Sequence, residues 1–234
     1  MVAAYGSVWV TAFRGETLVR VDPDSGEVLG ETAIGAGPEG VAAGFGSIWV
    51  VAQDAGPLVE VDPETVRVRD RVEIGVGARL VTVGRTAVYV SHFADDVVLR
   101  LDPRTREVTR SAKICDGPQG MQVVDDRLWV SCTYADQVLA LDATTLEVET
   151  SVSGATSPDA MTSTPDGRLL VVAESGPTVV AIDPATGEVL SSTVLGAAAP
   201  LYDRANLGVA VSGGQVWISS FGEDLVRHVP LSTR

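Results

Sequence analysis

The chain is short of lysine, histidine, cysteine and aromatic residues. It has one lysine, Lys113, with two histidines and two cysteines, and aromatics make up 5% of its 234 residues. Each shortage excludes something. So few histidines and cysteines provide none of the paired ligand spacings that read as zinc sites, and the sequence has neither a nucleophile elbow nor a glycine loop for phosphate. No apolar run approaches the roughly 20 residues that span a bilayer. The opening, Met1 to Val10, has no basic start and no unbroken apolar segment, so it does not read as a signal peptide. Basic residues are outnumbered by acidic ones, 17 against 31, for a net charge of −14. Nucleic-acid affinity rests on Lys and Arg neutralising phosphates, so a nucleic-acid partner is excluded. Anionic membrane surfaces are disfavoured for the same reason.

What is present is apolar and periodic. Hydrophobic residues make up 45% of the chain and charged residues 21%, enough to build a core and to exclude disorder. Much of the apolar content is valine, which packs well on a pleated sheet. The phrase Gly6-Ser7-Val8-Trp9-Val10 returns as Gly46-Ser47-Ile48-Trp49-Val50, then as Thr86-Ala87-Val88-Tyr89-Val90 and Asp126-Arg127-Leu128-Trp129-Val130. Weaker copies centre on Leu170 and Trp217. The steps between the central residues are 40, 40, 40, 41 and 47. A second marker runs in phase: Asp22-Pro23, Asp62-Pro63, Asp102-Pro103, Asp142-Ala143, Asp183-Pro184 and Val229-Pro230. A third is the Gly-Pro-x-Gly opening at Gly37 and Gly117. The repeats fall at about 1–36, 37–76, 77–116, 117–157, 158–199 and 200–234.

Each unit reads as four short strands. In the second, these are Val41 to Gly44, Ile48 to Ala52, Leu58 to Val61 and Val66 to Ile74. The Asp-Pro step before the fourth strand is turn chemistry, since Pro presets φ and Asp bonds amides further on. Four-stranded units of about 40 residues are the mark of β-propeller blades. The recurrent aromatic is expected to pack between neighbouring blades. The sequence therefore predicts an all-β propeller of six blades forming a single domain, the last blade lacking its outer strand. A fragment of a seven-bladed propeller is the alternative.

The Gly-Pro-x-Gly-Val, Gly-x-Ile/Val-Trp-Val and Val-Asp-Pro-x-Thr-Gly series resembles the YVTN family of bacterial β-propeller repeats. It is also similar to the repeats of virginiamycin B lyase and, more distantly, of NHL propellers. The likeness covers essentially the whole chain, and it speaks for fold more than for function, because the repeated residues are structural. It implies either a binding scaffold, such as an extracytoplasmic sensor part of a larger bacterial protein, or a lyase or hydrolase with a metal-assisted site at the central axis.

In a propeller, the loops between blades share a face with the loops joining second and third strands, and that face holds the ligand mouth. The slot between Pro and Gly is filled by Glu39, Arg79, Gln119 and Asp159 in repeats two to five. These are either solvated loop residues or a polar pocket, with Arg79 available to an anionic group. A rim comes from the residue four after each repeat aromatic: Phe13, Gln53, Phe93, Thr133, Glu174 and Phe221. Its aromatics read as loop packing or as a stacking surface. An insertion before the sixth unit adds Tyr202, Asp203 and Arg204 as candidate contacts.

The lyase resemblance implies a His in one Pro-x-Gly slot, a Glu in one rim slot and a divalent metal. Here Glu174 fills the rim slot, but Asp159 stands where the His belongs, and His92 and His228 lie in separate repeats. No catalytic residue and no resident cofactor or metal are expected; a divalent cation enters only with the lyase reading. Asp95-Asp96 and Asp125-Asp126 read as turn residues. Cys115 and Cys132 lie on one face of one blade, either bridged or as two buried thiols; a bridge stabilises by roughly 3 kcal/mol and implies an oxidising compartment. The expected protein is a monomeric, extracytoplasmic scaffold that takes a small molecule, peptide or protein at its mouth and does not insert in the membrane.

Overall fold

The computed structural model describes residues 1–174, 178–195, 207–220 and 225–231. Five four-stranded antiparallel sheets and one three-stranded sheet follow one another along the chain, each a meander in sequence order. They occupy residues 2–33, 38–73, 78–110, 118–153, 158–194 and 207–230. This is the blade architecture of a β-propeller, with three strands described in the sixth blade. The chain divides into two compact units, Met1–Lys113 with the first three sheets and Ile114–Arg234 with the last three.

The second sheet shows how the repeat sequence makes a blade. Its strands are Pro38–Gly44, Ser47–Ala52, Pro57–Val61 and Val68–Glu73. The first strand therefore starts earlier than its apolar pattern, at the proline, and the fourth is shorter than expected. Val66 takes φ 58° and ends the preceding turn instead of starting the strand. The first hairpin turns on Phe45 and Gly46 at φ 54° and 73°, the left-handed pair that matches strand twist. Asp62 Oδ1 accepts the backbone N–H groups of Glu64 and Thr65, both at 2.8 Å, closing the turn before the fourth strand. Asp22, Asp102 and Asp142 do the same in their own repeats.

Within each unit the core lies between consecutive sheets, because a single sheet of this size cannot bury its own faces. Trp9 packs on Ile48, Val50, Val59 and Val61 of the second sheet. Trp49 packs on Val81, Val88 and Val90 of the third, and Trp129 on Met161, Leu169 and Val171 of the fifth. All three indoles are fully buried. The polar ends of Trp9 and Trp49 are satisfied by the carbonyls of Ala4 and Gly44 at 3.2 and 3.1 Å. Alongside Trp49 a buried carboxylate, Glu60, accepts from Ser47 at 2.5 Å and from Arg106 of the third sheet, whose guanidinium carbon lies 5.6 Å from the Trp49 ring centroid.

Candidate functional site

The Pro-x-Gly openings turn out to be β-bulges. In the second sheet Pro38 pairs with Ala52 and Val41 with Val50, so three steps on one strand face two on the other. The same shift separates Ala78 from Val81, Pro118 from Met121, and Pro158 from Met161. Each bulge holds one slot residue: Glu39, Arg79, Gln119 or Asp159. A bulge on a first strand re-aims one side chain without breaking the rest of the ladder. The four residues thus share one backbone position, the bulge of a first strand.

Hydroxyls on the second strands fix the bulges, a feature the sequence reading did not single out. Thr11 Oγ1 donates to the Glu39 carbonyl at 3.0 Å, and Ser131 Oγ donates to the Asp159 carbonyl at 2.6 Å. Ser91 and Ser131 also accept the amides of Leu80 and Gly120. Thr133, a rim position, is buried and donates to the Pro158 carbonyl at 2.8 Å. The only sequence signal was a hydroxyl two residues after the aromatic in four of the repeats.

Within the first unit, two slot residues and one rim residue meet. Arg79 Nε lies 3.3 Å from Glu39 Oε2, and its guanidinium carbon lies 4.7 Å from the Phe93 ring centroid. Within the second unit, Gln119 Nε2 donates to Asp159 Oδ1 at 2.6 Å. Gln119 and Asp159 are 4% and 2% exposed, so the reading of them as solvated loop residues is corrected: they are buried and paired. Glu174, in the rim, is also buried, whereas Phe13 is exposed. Phe93 opens a short 3-10 turn, Phe93–Asp95. Phe221, Tyr202, Asp203 and Arg204 lie outside the described residues.

The turn reading of Asp95 and Asp96 gains a second role. Asp95 receives Arg110 at 2.6 Å and Asp96 receives Lys113 at 3.3 Å. The Arg110 hydrogen bond holds the Asp95 carboxyl below its usual value. His92, next to Phe93, is 2% exposed with its Nδ1 3.6 Å from Asp95. His228 is exposed and stacks on Trp217 at 4.9 Å. Among the described residues no group of three or more His, Cys, Asp or Glu is arranged to hold a metal ion. Cys115 and Cys132 are bridged, with their Cα atoms 5.9 Å apart. The bridge ties the segment leading into Pro118 and Gln119 to the end of the second strand, where the amides of Thr133 and Tyr134 donate to Gly117 and Asp116. No helix among the described residues is long and apolar enough to cross a membrane.

The comparisons with known proteins agree with this architecture. A catalytically inactive variant of virginiamycin B lyase from Staphylococcus aureus, solved with quinupristin, superposes with a TM-score of 0.82 at 16% identity over 99% of this chain and 79% of that one. A functionally unknown protein from Desulfotomaculum acetoxidans gives 0.78 at 12% identity over 97% and 79%. Hydrazine synthase of Kuenenia stuttgartiensis gives 0.70 at 20% identity over 78% of this chain; the match spans 55% of that protein's chain, little more than half. At such identities the likeness carries the fold alone. No curated protein matches the sequence. A family profile, however, described as outer membrane protein assembly factor BamB, matches residues 14–232. That match runs through all six sheets, and the chain belongs to this family of β-propeller repeat proteins.

Proposed function

We propose that the chain is a non-catalytic scaffold that binds a small anionic molecule or a protein segment through the loop face carrying the bulged slots. We place it outside the cytoplasm, as the sensor part of a larger bacterial protein. The observation that carries this reading is the bulge itself. The bulges of the first unit bring Glu39 and Arg79 together with both side chains partly exposed, whereas Gln119 and Asp159 in the second unit are buried and paired with each other, so the recognition reading rests on the first pair. Arg79 is the cationic member, held between Glu39 and Phe93, and a planar guanidinium in that setting suits a carboxylate. The family description, an assembly factor for outer membrane proteins, is in keeping with a protein partner. The Cys115–Cys132 bridge is in keeping with an oxidising compartment.

The test is calorimetric titration of the protein with dicarboxylates and acidic peptides, repeated on Arg79→Ala. Binding by the parent chain, weakened about tenfold in the variant, which is roughly 1.4 kcal/mol, supports the reading. Binding that is unchanged in the variant removes Arg79 from the site. One observation favours a second reading, a metal-assisted lyase: Glu174 occupies the rim slot that the lyase resemblance assigns to a Glu. Against it, Asp159 fills the His slot and is already engaged by Gln119. Incubation with quinupristin and Mg²⁺ separates the two readings, since the scaffold leaves the compound's chromatographic profile unchanged.

A further inference from the structure

Glu39 and Arg79 carry opposite charges on two strand starts whose backbones touch. A Cβ on Gly40 would come within 2.7 Å of the Arg79 carbonyl and the Leu80 Cα, so the two bulges lie in direct contact. A hydroxyl holds each of them: Thr11 donates to the Glu39 carbonyl at 3.0 Å, and Ser91 accepts the Leu80 amide at 3.2 Å. The backbone, rather than the ion pair, therefore fixes how far apart the two charges are rooted. The pair itself is loose. Its Nε–Oε2 distance of 3.3 Å exceeds the 2.6 Å of Arg110–Asp95 and the 2.7 Å of Arg69–Asp62 in the same unit. Both charges, their hydroxyl braces and Phe93 belong to the first unit.

Gln53 joins the segments that lead into both bulges. Its amide donates to the Gly37 carbonyl at 2.9 Å, and its carbonyl accepts the Gly77 amide at 3.0 Å. Gly37 and Gly77 stand two residues before Glu39 and Arg79. The Gln53 Oε1 atom is buried and meets no hydrogen-bond donor among the described residues. A buried acceptor without a donor costs stability, and an apolar side chain in its place would avoid that cost. Its position in the ladder, one step from the Glu39 bulge, adds an acceptor to a carboxylate. Such a combination suits an ammonium, which has three N–H donors and no acceptor.

These charges decide what a ligand must carry. A ligand with negative charge alone that engages Arg79 stands against Glu39, a carboxylate 3.3 Å from the same guanidinium, and like charges at that range repel. A ligand with a carboxylate and an ammonium on one carbon replaces a single loose pair with two pairs. We infer that the anionic group bound by Arg79 belongs to a free α-amino acid, whose ammonium is taken by Glu39 and Gln53. The inference rests on the reading of this face as a binding site and names its ligand. Phe93, with its ring centroid 4.7 Å from the guanidinium carbon, keeps the cation oriented when the Glu39 pair opens. A peptide does not fit, because its ammonium and its terminal carboxylate lie at opposite ends of the chain.

The probes are the twenty standard α-amino acids, screened by thermal shift on the full chain. The best of them is then titrated calorimetrically beside its N-acetyl derivative, its carboxamide and succinate. Each derivative lacks one of the two charges and should bind about tenfold more weakly than the amino acid. Arg79→Ala should weaken both the amino acid and the N-acetyl derivative. Glu39→Gln should weaken the amino acid and leave the N-acetyl derivative unaffected, a selectivity that misfolding does not produce. Gln53→Leu should weaken the amino acid without lowering the melting temperature, which a structural role for that side chain would not give. If the N-acetyl derivative or succinate binds as tightly as the amino acid, the inference is overturned, while an anion site at Arg79 stands. If none of the twenty binds, it is overturned as well. In that case binding of dicarboxylates or acidic peptides by the same protein preserves the scaffold reading, and their failure to bind removes both.

Discussion

Arg79 lies between a carboxylate and a ring: its Nε is 3.3 Å from Glu39 Oε2, and its guanidinium carbon is 4.7 Å from the centre of Phe93. Both partners are side chains of the same unit, one from the bulge of the preceding sheet and one from the turn after the neighbouring strand. Pairing and stacking together orient the cation. Arg79→Lys should therefore behave more like Arg79→Ala than like the parent in carboxylate binding, because an ammonium neither stacks nor forks. The pair is partly exposed, so its loss should cost only about 1 kcal/mol of stability. Titration calorimetry and thermal melts on both variants check the two halves of this expectation.

Glu60 is 6% exposed, and its carboxylate is shared by Ser47 and Arg106. Arg106→Ala should destabilise the protein by about 2–3 kcal/mol, because it strands a buried charge. The double variant Glu60→Leu with Arg106→Leu should recover most of that loss, since removing both partners leaves nothing unpaired. Urea midpoints for the three proteins decide it; equal destabilisation in the single and double variants would contradict the account.

The Asp turns make stability acid-sensitive. Asp62 is pulled down to about 2, first by the N–H of Thr65 and then by the side chain of Arg69. Asp22, Asp102 and Asp142 are lowered by the same pairs of backbone donors. A carboxylate whose folded value lies below its unfolded value of about 3.9 binds protons more readily when unfolded. Its contribution is thus full above about pH 4 and disappears as pH falls towards 2. Asp62→Asn should be less stable than the parent at pH 6, with the gap closing by about pH 2. Denaturant titrations at a series of pH values measure that gap.

The Cys115–Cys132 bridge closes a loop with a sequence separation of 17. Cys115→Ser with Cys132→Ala should cost about 3 kcal/mol and loosen the approach to Gln119. Peptide mapping without reductant should recover the two cysteines as one linked pair; two freely alkylated thiols in the native protein would contradict the bridge and with it the support for an oxidising compartment.

The fold was legible because its grammar repeats. Trp9, Trp49 and Trp129 mark second strands whose aromatic must find a neighbouring sheet, and the structure gives each of them one. Asp62 and its counterparts mark the last turn because a short carboxylate can reach two amides. The site was legible only in position. Glu39, Arg79, Gln119 and Asp159 could be placed in one slot, but a bulge is a property of two strands in register, and one strand's sequence does not display it. Burial of Gln119 and Asp159 was missed for a related reason: the contacts that enclose them come from residues some 40 positions away. The Glu60–Arg106 link likewise joins side chains 46 positions apart.

The glycine that follows two of the slots has a consequence of its own. A Cβ on Gly40 would come within 2.7 Å of the Arg79 carbonyl and the Leu80 Cα, and one on Gly120 would run into the Asp159 backbone. The next first strand lies against these glycines, so the backbone there admits no side chain. Glu39, immediately before Gly40, is less constrained because its side chain is partly exposed at the bulge, whereas Gln119 before Gly120 is buried against Asp159. Mutational tolerance should therefore change abruptly between adjacent codons in the second repeat, from near zero at Gly40 to broader at the partly exposed Glu39. Such a layout lets a lineage exchange its recognition chemistry one repeat at a time while the packing that keeps the sheets together is inherited unchanged.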